Sequence, residues 1–172
     1  NLINEVAATL AFSAVKNNDK VGCILFSDRV EKFIPPKKGR SHILAIIREL
    51  VGFRPTGQGT ALSEALRYLV GVNKKRTTCF LLSDLVNNPA DNGALEDALK
   101  IASSRHDIMA VRVFDRRDAE LPNVGIIELR DAETGAMEWV NTSSRRVRRY
   151  WAESYAEHRD KVCSLLRHHH VD

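Results

Sequence analysis

Thr60 and Asp84 are the two residues whose types and placement best suit chemistry at a single point. A threonine hydroxyl and an aspartate carboxylate are hard oxygen donors, of the kind that hold a magnesium-type ion partly clothed in water. Each sits in a turn-rich stretch expected at the carboxyl end of a sheet, with Gly57-Gln58-Gly59 before Thr60 and Ser83 before Asp84. Open α/β sheets place their ligand sites there. Two protein oxygens alone make a weak cation site, so a second reading stands beside the first. In it, Thr60 caps the helix it opens and Asp84 turns a strand into a loop.

Other reactive arrangements fail on chemical grounds. The stretch 57–60 lacks the lysine that a phosphate-binding P-loop places before its threonine. Ser83 lacks the Gly-x-Ser-x-Gly elbow of strand-to-helix hydrolases. With no defensible nucleophile–base pair, the chain reads as a binding module and not an enzyme. The rival from another class is a hydrolase or phosphotransferase on the same loops. His42, His106 and His158 stand alone, and His168-His169-His170 reads as a frayed, exposed helix end. Cys23, Cys79 and Cys163 have no metal-ligand spacing, and the first two lie in apolar runs where cysteine acts as a small hydrophobe. Reduced thiols fit a cytoplasmic location.

Two charged stretches remain. Asp115, Arg116, Arg117, Asp118 and Glu120 read as a solvated loop whose surface ion pairs contribute little each. Arg145-Arg146 and Arg148-Arg149, beside Tyr150 and Trp151, invite a nucleic-acid reading. However, Trp151 and Tyr155 share a helical stripe with Val147 and Val162, which turns the aromatics toward a sheet and leaves the arginines on an ordinary outer face. The net charge of +4 is modest, with seven Lys/Arg against four Asp/Glu from Thr142 onward. No nucleic-acid partner is expected.

The elements that must position these residues alternate along the chain. Ile3, Val6, Ala7 and Leu10 mark a first helix, which ends at Asn17-Asn18-Asp19. Residues 20–26 form an apolar strand, and residues 30–34 a shorter one stopped by Pro35-Pro36, hence an edge strand. Ser41 is placed to cap a helix carrying Ile43, Ile46, Ile47 and Leu50. A helix with Leu62, Leu66 and Leu69 follows Thr60, then a strand over 76–82. Asp91 or Asn92 caps a helix with Leu95, Ala98, Leu99 and Ala102. Strands at 107–114, 124–129 and 137–140 come next, the last two joined by a turn over 131–135, and a long helix runs over 143–166. This alternation predicts one α/β domain with a mainly parallel sheet covered on both faces and antiparallel edge strands. No apolar run is long enough to cross a bilayer, so no membrane contact is expected from this segment.

Six blocks follow in order: KVGCILFSDRVEKFIPP at 20–36, KGRSHIL at 38–44, GQGTALSEAL at 57–66, CFLLSDL at 79–85, FDRRDAELPNVG at 114–125 and LRDAETG at 129–135. Together they resemble domain-of-unknown-function family fifty-eight, a bacterial family with a von Willebrand A-like domain. The resemblance implies a Rossmann-like three-layer sandwich over residues 1–172. It also implies a protein partner, a MoxR-type AAA+ ATPase, with the chain as adaptor or effector in complex assembly. The von Willebrand A fold carries a metal-ion-dependent adhesion site built from an Asp-x-Ser-x-Ser loop, then a threonine, then an aspartate. Thr60 and Asp84 match the last two positions, and the Asp-x-Ser-x-Ser element has no counterpart. The resemblance thus implies Mg2+ in the full-length protein and none held by this chain. The protein-binding rim would comprise Asp28, Gly57, Gly59, Thr60 and Asp84. The domain is further expected to lack its first, central strand and its final one. The strands at 20–26 and 76–82 would then either close on each other or have the slot between them filled by a segment from another chain.

Overall fold

A computed structural model describes residues 2–57, 59–85, 91–114, 119–130 and 137–172. The opening helix α1 is Leu2–Lys16, and Asn18 ends it with a positive φ of 58°, a conformation asparagine tolerates. Strands β1 (Val21–Phe26) and β2 (Val30–Lys37) pair antiparallel around the Ser27–Arg29 turn, where the Ser27 N–H donates to the Arg29 carbonyl at 2.8 Å. The prolines do not stop β2 at Ile34 as expected. Instead the ladder jumps from Cys23↔Ile34 to Val21↔Lys37, a bulge that passes over Pro35 and Pro36, which have no N–H to give. Gly22 makes this possible, since a Cβ there would lie 2.8 Å from the Ile34 carbonyl oxygen.

Helix α2 (Arg40–Gly52) starts two residues earlier than the Ser41 cap predicts. Gly39 holds the N-cap position at φ 102°, a region open to glycine, and Ser41 lies inside the first turn. Helix α3 (Leu62–Val72) leads to β3 (Thr78–Ser83), and α4 (Asn92–Arg105) to β4 (Asp107–Arg112). The hairpin of β5 (Ile126–Arg130) and β6 (Met137–Asn141) is followed by α5 (Arg145–His168), capped by the Ser144 hydroxyl. The Thr142 hydroxyl, fully buried, donates to the Gly125 carbonyl at 2.7 Å and closes the base of that hairpin.

The protein is a mixed α/β fold, but its strands form pairs and not the single mainly parallel sheet expected. Among the described residues there are three two-stranded sheets, β1–β2, β3–β4 and β5–β6, of which only β3–β4 is parallel. Two cores hold them. Ala11, Ile43 and Ile46 join α1 and α2 to one face of β1–β2. The larger core gathers Leu62 and Leu66 of α3, Leu81 of β3, Leu95 and Leu99 of α4, Ile108 of β4 and Val162 of α5. The edge-on contact of Phe33 with Tyr68, 5.5 Å between centroids, sets α3 against the other face of β2.

The path of α3 fixes how β1 and β3 are oriented. The Ala61 N–H, just before α3, donates to the Ser27 carbonyl at the end of β1 at 2.9 Å. The helix then runs the length of a strand and its far end leads into β3. Strands β1 and β3 therefore point the same way, and Ser27, Thr60, Ser83 and Asp84 share one rim. No backbone hydrogen bond joins β1 to β3 among the described residues; their facing edges line one open cleft of about 3020 Å³.

The carboxyl terminus is not frayed as the histidine run suggests. Val171 is buried, the Asp172 N–H donates to the Ile108 carbonyl at 3.3 Å, and the Ala110 N–H donates to the Asp172 carbonyl at 2.6 Å, which is the pattern of a parallel ladder on the outer edge of β4.

His106, between α4 and β4, is buried, and neither ring nitrogen has a hydrogen-bond partner among the described residues. Burial chiefly, and Arg105 next, lower its pKa from the ordinary 6.5, with Asp107 opposing. The unfolded chain therefore takes up this proton first, and the contribution is full above about pH 6.5 and shrinks as pH falls below it. The urea midpoint should drop between pH 7.5 and 5.5, and drop less in His106→Leu. Equal drops would show that His106 does not carry the effect.

Candidate functional site

The rim is organised around Glu31. Its Oε1 accepts from the Thr56 N–H at 2.8 Å, the Gly57 N–H at 2.8 Å and the Ser27 hydroxyl at 2.7 Å, and its Oε2 accepts from the Thr56 hydroxyl at 2.7 Å. Four donors on one carboxylate favour its charged form, the Thr56 hydroxyl most, then the Gly57 N–H and the Ser27 hydroxyl. They hold its pKa down at about 2. The staple is thus complete above about pH 4.5, the ordinary value, and is lost as pH falls toward 2. In Glu31→Ala the Thr56 and Gly57 amide protons lose their acceptor and should exchange roughly tenfold faster or more, with β3 unaffected. Unchanged exchange would contradict the staple.

Ser27 is the second node. Its hydroxyl serves Glu31 and lies 3.1 Å from Asp28 Oδ1, while its carbonyl anchors the entry to α3. The glycines of the next loop then have separate reasons. A Cβ at Gly57 would lie 1.8 Å from Asp28 Oδ1 and 2.4 Å from the Ser27 hydroxyl oxygen, so only glycine fits between them. Gly59 adopts φ 90°. Asp28 itself is exposed and sits 3.4 Å from Arg29 Nε.

Thr60 does not cap α3. Ala61 holds the N-cap position without a side-chain bond, and the Ser63 N–H and hydroxyl are instead met by the Asp91 carboxylate, the N–H at 3.2 Å. Asp91 precedes α4 as expected, yet its side chain serves the neighbouring helix and not its own. In the turn after β3 the Ser83 hydroxyl accepts from the Leu85 N–H at 3.1 Å, and Leu85 takes φ 61°. Thr60 and Asp84 both line the cleft, Thr60 with Gly57 and Gly59 on the β1 side and Asp84 on the β3 side. Behind Asp84, the Arg112 guanidinium lies 3.9 Å over the Phe114 ring and donates to the Tyr155 hydroxyl at 2.9 Å, tying β4 to α5.

On the two walls beside Thr60 and Asp84, the Ser27 hydroxyl donates to Glu31 and the Ser83 hydroxyl accepts in the turn after β3. Among the described residues no group of three or more His, Cys, Asp or Glu could hold a metal.

The remaining candidates lie elsewhere. Cys23 and Cys79 are free thiols whose burial pushes each pKa up to about 11. Trp151, expected to pack on a sheet with Val147 and Val162, is 37% exposed and lines the cleft. Arg145 and Arg146 are exposed, and Arg149 pairs with Glu153 at 3.6 Å. Asp115, Arg116, Arg117 and Asp118, the turn over 131–135 and Gln58 lie outside the described residues. Glu31 and Ser27 are the residues organising the rim that sequence reasoning passes over. A signal existed for Glu31: in a strand it shares a face with Phe33 two residues on, so its carboxylate sits on the α3 side and needs partners.

Residues 1–161 match the family model described as "Protein of unknown function DUF58". The chain belongs to the DUF58 family. An uncharacterised protein of Mycobacterium tuberculosis is 26% identical to this DUF58 chain over 165 residues, covering 94% of the chain and 50% of the relative. One from Mycobacterium avium is 29% identical over 139 residues, 78% of each. The DUF58 chain thus spans about half the length of the first of these relatives. Among solved structures, BatB from Bacteroides thetaiotaomicron superposes with a TM-score of 0.54 at 17% identity, covering 95% of this chain and 88% of that one. An aerotolerance-related membrane protein from Bacteroides fragilis gives 0.54 at 18%, covering 95% and 85%. At these identities the likeness is one of fold.

Proposed function

We propose that the rim of this DUF58 chain is a protein-docking face and that the chain is a binding module without catalytic turnover. The observation that carries the reading is the Glu31 staple, which orders the loops bearing Asp28, Gly57, Gly59 and Thr60 before any partner arrives. Loops already held in place lose little conformational freedom on binding, so more of the contact energy appears as affinity. Asp84 extends the face across the cleft. The layers around β1–β2, with α1 and α2 on one face and α3 on the other, fit a von Willebrand A-like three-layer arrangement.

The partner we assign, on the family resemblance, is a MoxR-type AAA+ ATPase, with the chain as adaptor or effector in assembling a complex. A cytoplasmic location fits three cysteines free of disulfides. Any cation at the rim would need donors beyond Thr60 and Asp84. The test is Asp84→Ala in the full-length protein with affinity for the ATPase as readout. A loss of roughly tenfold or more supports the docking face, and unchanged affinity sinks the role of Asp84.

A further inference from the structure

We infer that the outward face of the β5–β6 ribbon, with the arginine-bearing start of α5, is the contact through which two copies of this chain pair about a two-fold axis. The register divides the ribbon into two faces. Ile126 and Glu128 share one with Met137 and Trp139, while Ile127 and Leu129 share the other with Val140. Ile127, Leu129 and Val140 are half-buried, and Leu129 and Val140 line the cleft, so that face is turned to the body of the protein. A ribbon covered on one side ordinarily carries polar residues on the other. Here the outer side carries Ile126, Met137 and Trp139 at 65%, 64% and 68% exposure. Three large apolar side chains gathered on one solvent face mark an interaction surface.

The ribbon and the first turn of α5 are joined into one surface. The Val124 N–H donates to the Thr142 hydroxyl at 3.1 Å, and the Thr142 N–H to the Gly125 carbonyl at 2.8 Å. From the helix side, the Arg148 guanidinium donates to the Thr142 carbonyl. The Asn141 side-chain oxygen accepts from the Ser143 N–H at 3.0 Å, which fixes the turn between strand and helix. A surface held this way gives up little freedom on contact, and tryptophan, methionine and arginine are the residues enriched where binding energy concentrates. Trp139 alone offers about 150–200 Å². The three apolar side chains with Glu128, Arg145 and Arg146 make a patch of roughly 800 Å², which is what each member of a stable pair covers.

Charge selects the occupant. Glu128 lies directly across from Trp139 in the middle of the apolar face, so a lipid surface would bury its carboxylate in hydrocarbon. A protein surface that sets a guanidinium beside an apolar centre suits it, and this chain carries one. Arg145 and Arg146 are exposed and open α5 just past Asn141, the register partner of Ile126. Glu128 stands about 7 Å to one side of the Ile126–Asn141 pair, two residues along the strand. The arginines stand on the opposite side of that pair. A two-fold axis passing through it therefore brings Ile126 against Ile126 at the centre. It also sets Glu128 and Trp139 of each copy on Arg145 and Arg146 of the other, twice per pair. A guanidinium suits both neighbours, because it pairs with the carboxylate and stacks on the indole face.

Sedimentation equilibrium of the full-length protein tests this. Its mass should rise from monomer to dimer with concentration, and Trp139→Ala should raise the dissociation constant roughly tenfold or more. Glu128→Arg should weaken pairing, as should Arg145→Glu combined with Arg146→Glu, because like charges then meet. Mixing those two proteins should restore pairing as a mixed dimer, a rescue that no misfolded variant would give. A monomer at every concentration would overturn the inference. So would a dimer of unchanged strength in Trp139→Ala, or charge variants that stay apart when mixed. Monomers that bind phosphatidylserine vesicles, and lose that binding in Trp139→Ala, would give the face to a membrane and equally overturn it. The wild-type measurement decides even if a variant fails to fold.

Discussion

Leu99→Ala should lower the free energy of unfolding by about 2–5 kcal/mol, the range for emptying a fully buried leucine site. Leu99 lies on α4 at 0% exposure, among Leu62 and Leu66 of α3, Leu81 of β3 and Val162 of α5. These come from four elements that cannot all move to fill one hole, so the residual cavity adds to the lost transfer energy. Ile101, two residues further along the same helix and 49% exposed, provides the control: Ile101→Ala should stay within about 0.5 kcal/mol. Urea unfolding of both variants at equal slope makes the comparison, and equal losses would mean that α4 is packed differently.

The second large effect is expected at the rim. In Gly57→Val the new Cβ would overlap Asp28 Oδ1 and the Ser27 hydroxyl, so one of the two loops must withdraw. The Asp28 carboxylate can swing aside. The Ser27 hydroxyl cannot without leaving Glu31, and the Gly57 N–H that reaches Glu31 moves with its own backbone. Overpacking of this kind costs roughly 1–3 kcal/mol, and it should also weaken partner binding, because the loops would have to be reordered on contact. Gly71 in α3 supplies the contrast. Nothing lies within 4 Å of a Cβ there, and a glycine inside a helix costs about 0.5–1 kcal/mol relative to alanine, so Gly71→Ala should be neutral or stabilising. Binding measured for both variants separates a rim effect from a general one. If Gly57→Val binds as wild type does, the ordered loops are not the docking face.

Much of the element order was legible because it rests on local periodicity. The stripe of Leu62, Leu66 and Leu69 marks α3, and the uncharged runs at β1 and β3 mark strands buried between layers. Element ends were less legible, because caps depend on backbone conformations that side-chain type only hints at: Gly39, not Ser41, opens α2, and Ala61, not Thr60, opens α3. The site was legible in part. Asp28, Gly57 and Gly59 could be chosen for turn chemistry, but the approach of Gly57 to Ser27 and Asp28 and its bond to Glu31 join residues 26 to 30 positions apart, and no local pattern carries that. Asp91 makes the same point, since a residue read as a cap for its own helix holds the first turn of another. The sheet expectation failed for a physical reason: alternation of strands and helices says which strands exist, but not whether neighbouring edges meet, and β1 and β3 do not.

The most direct test of a docking rim is a hydrogen-exchange footprint of the full-length protein with and without the ATPase. The ordered loops predict slowed exchange at residues 27–31, 56–60 and 83–85, with the β5–β6 hairpin and α5 unchanged. Slowing confined to the hairpin and the arginine-rich start of α5, with the rim untouched, would place the interface on those elements and contradict the account.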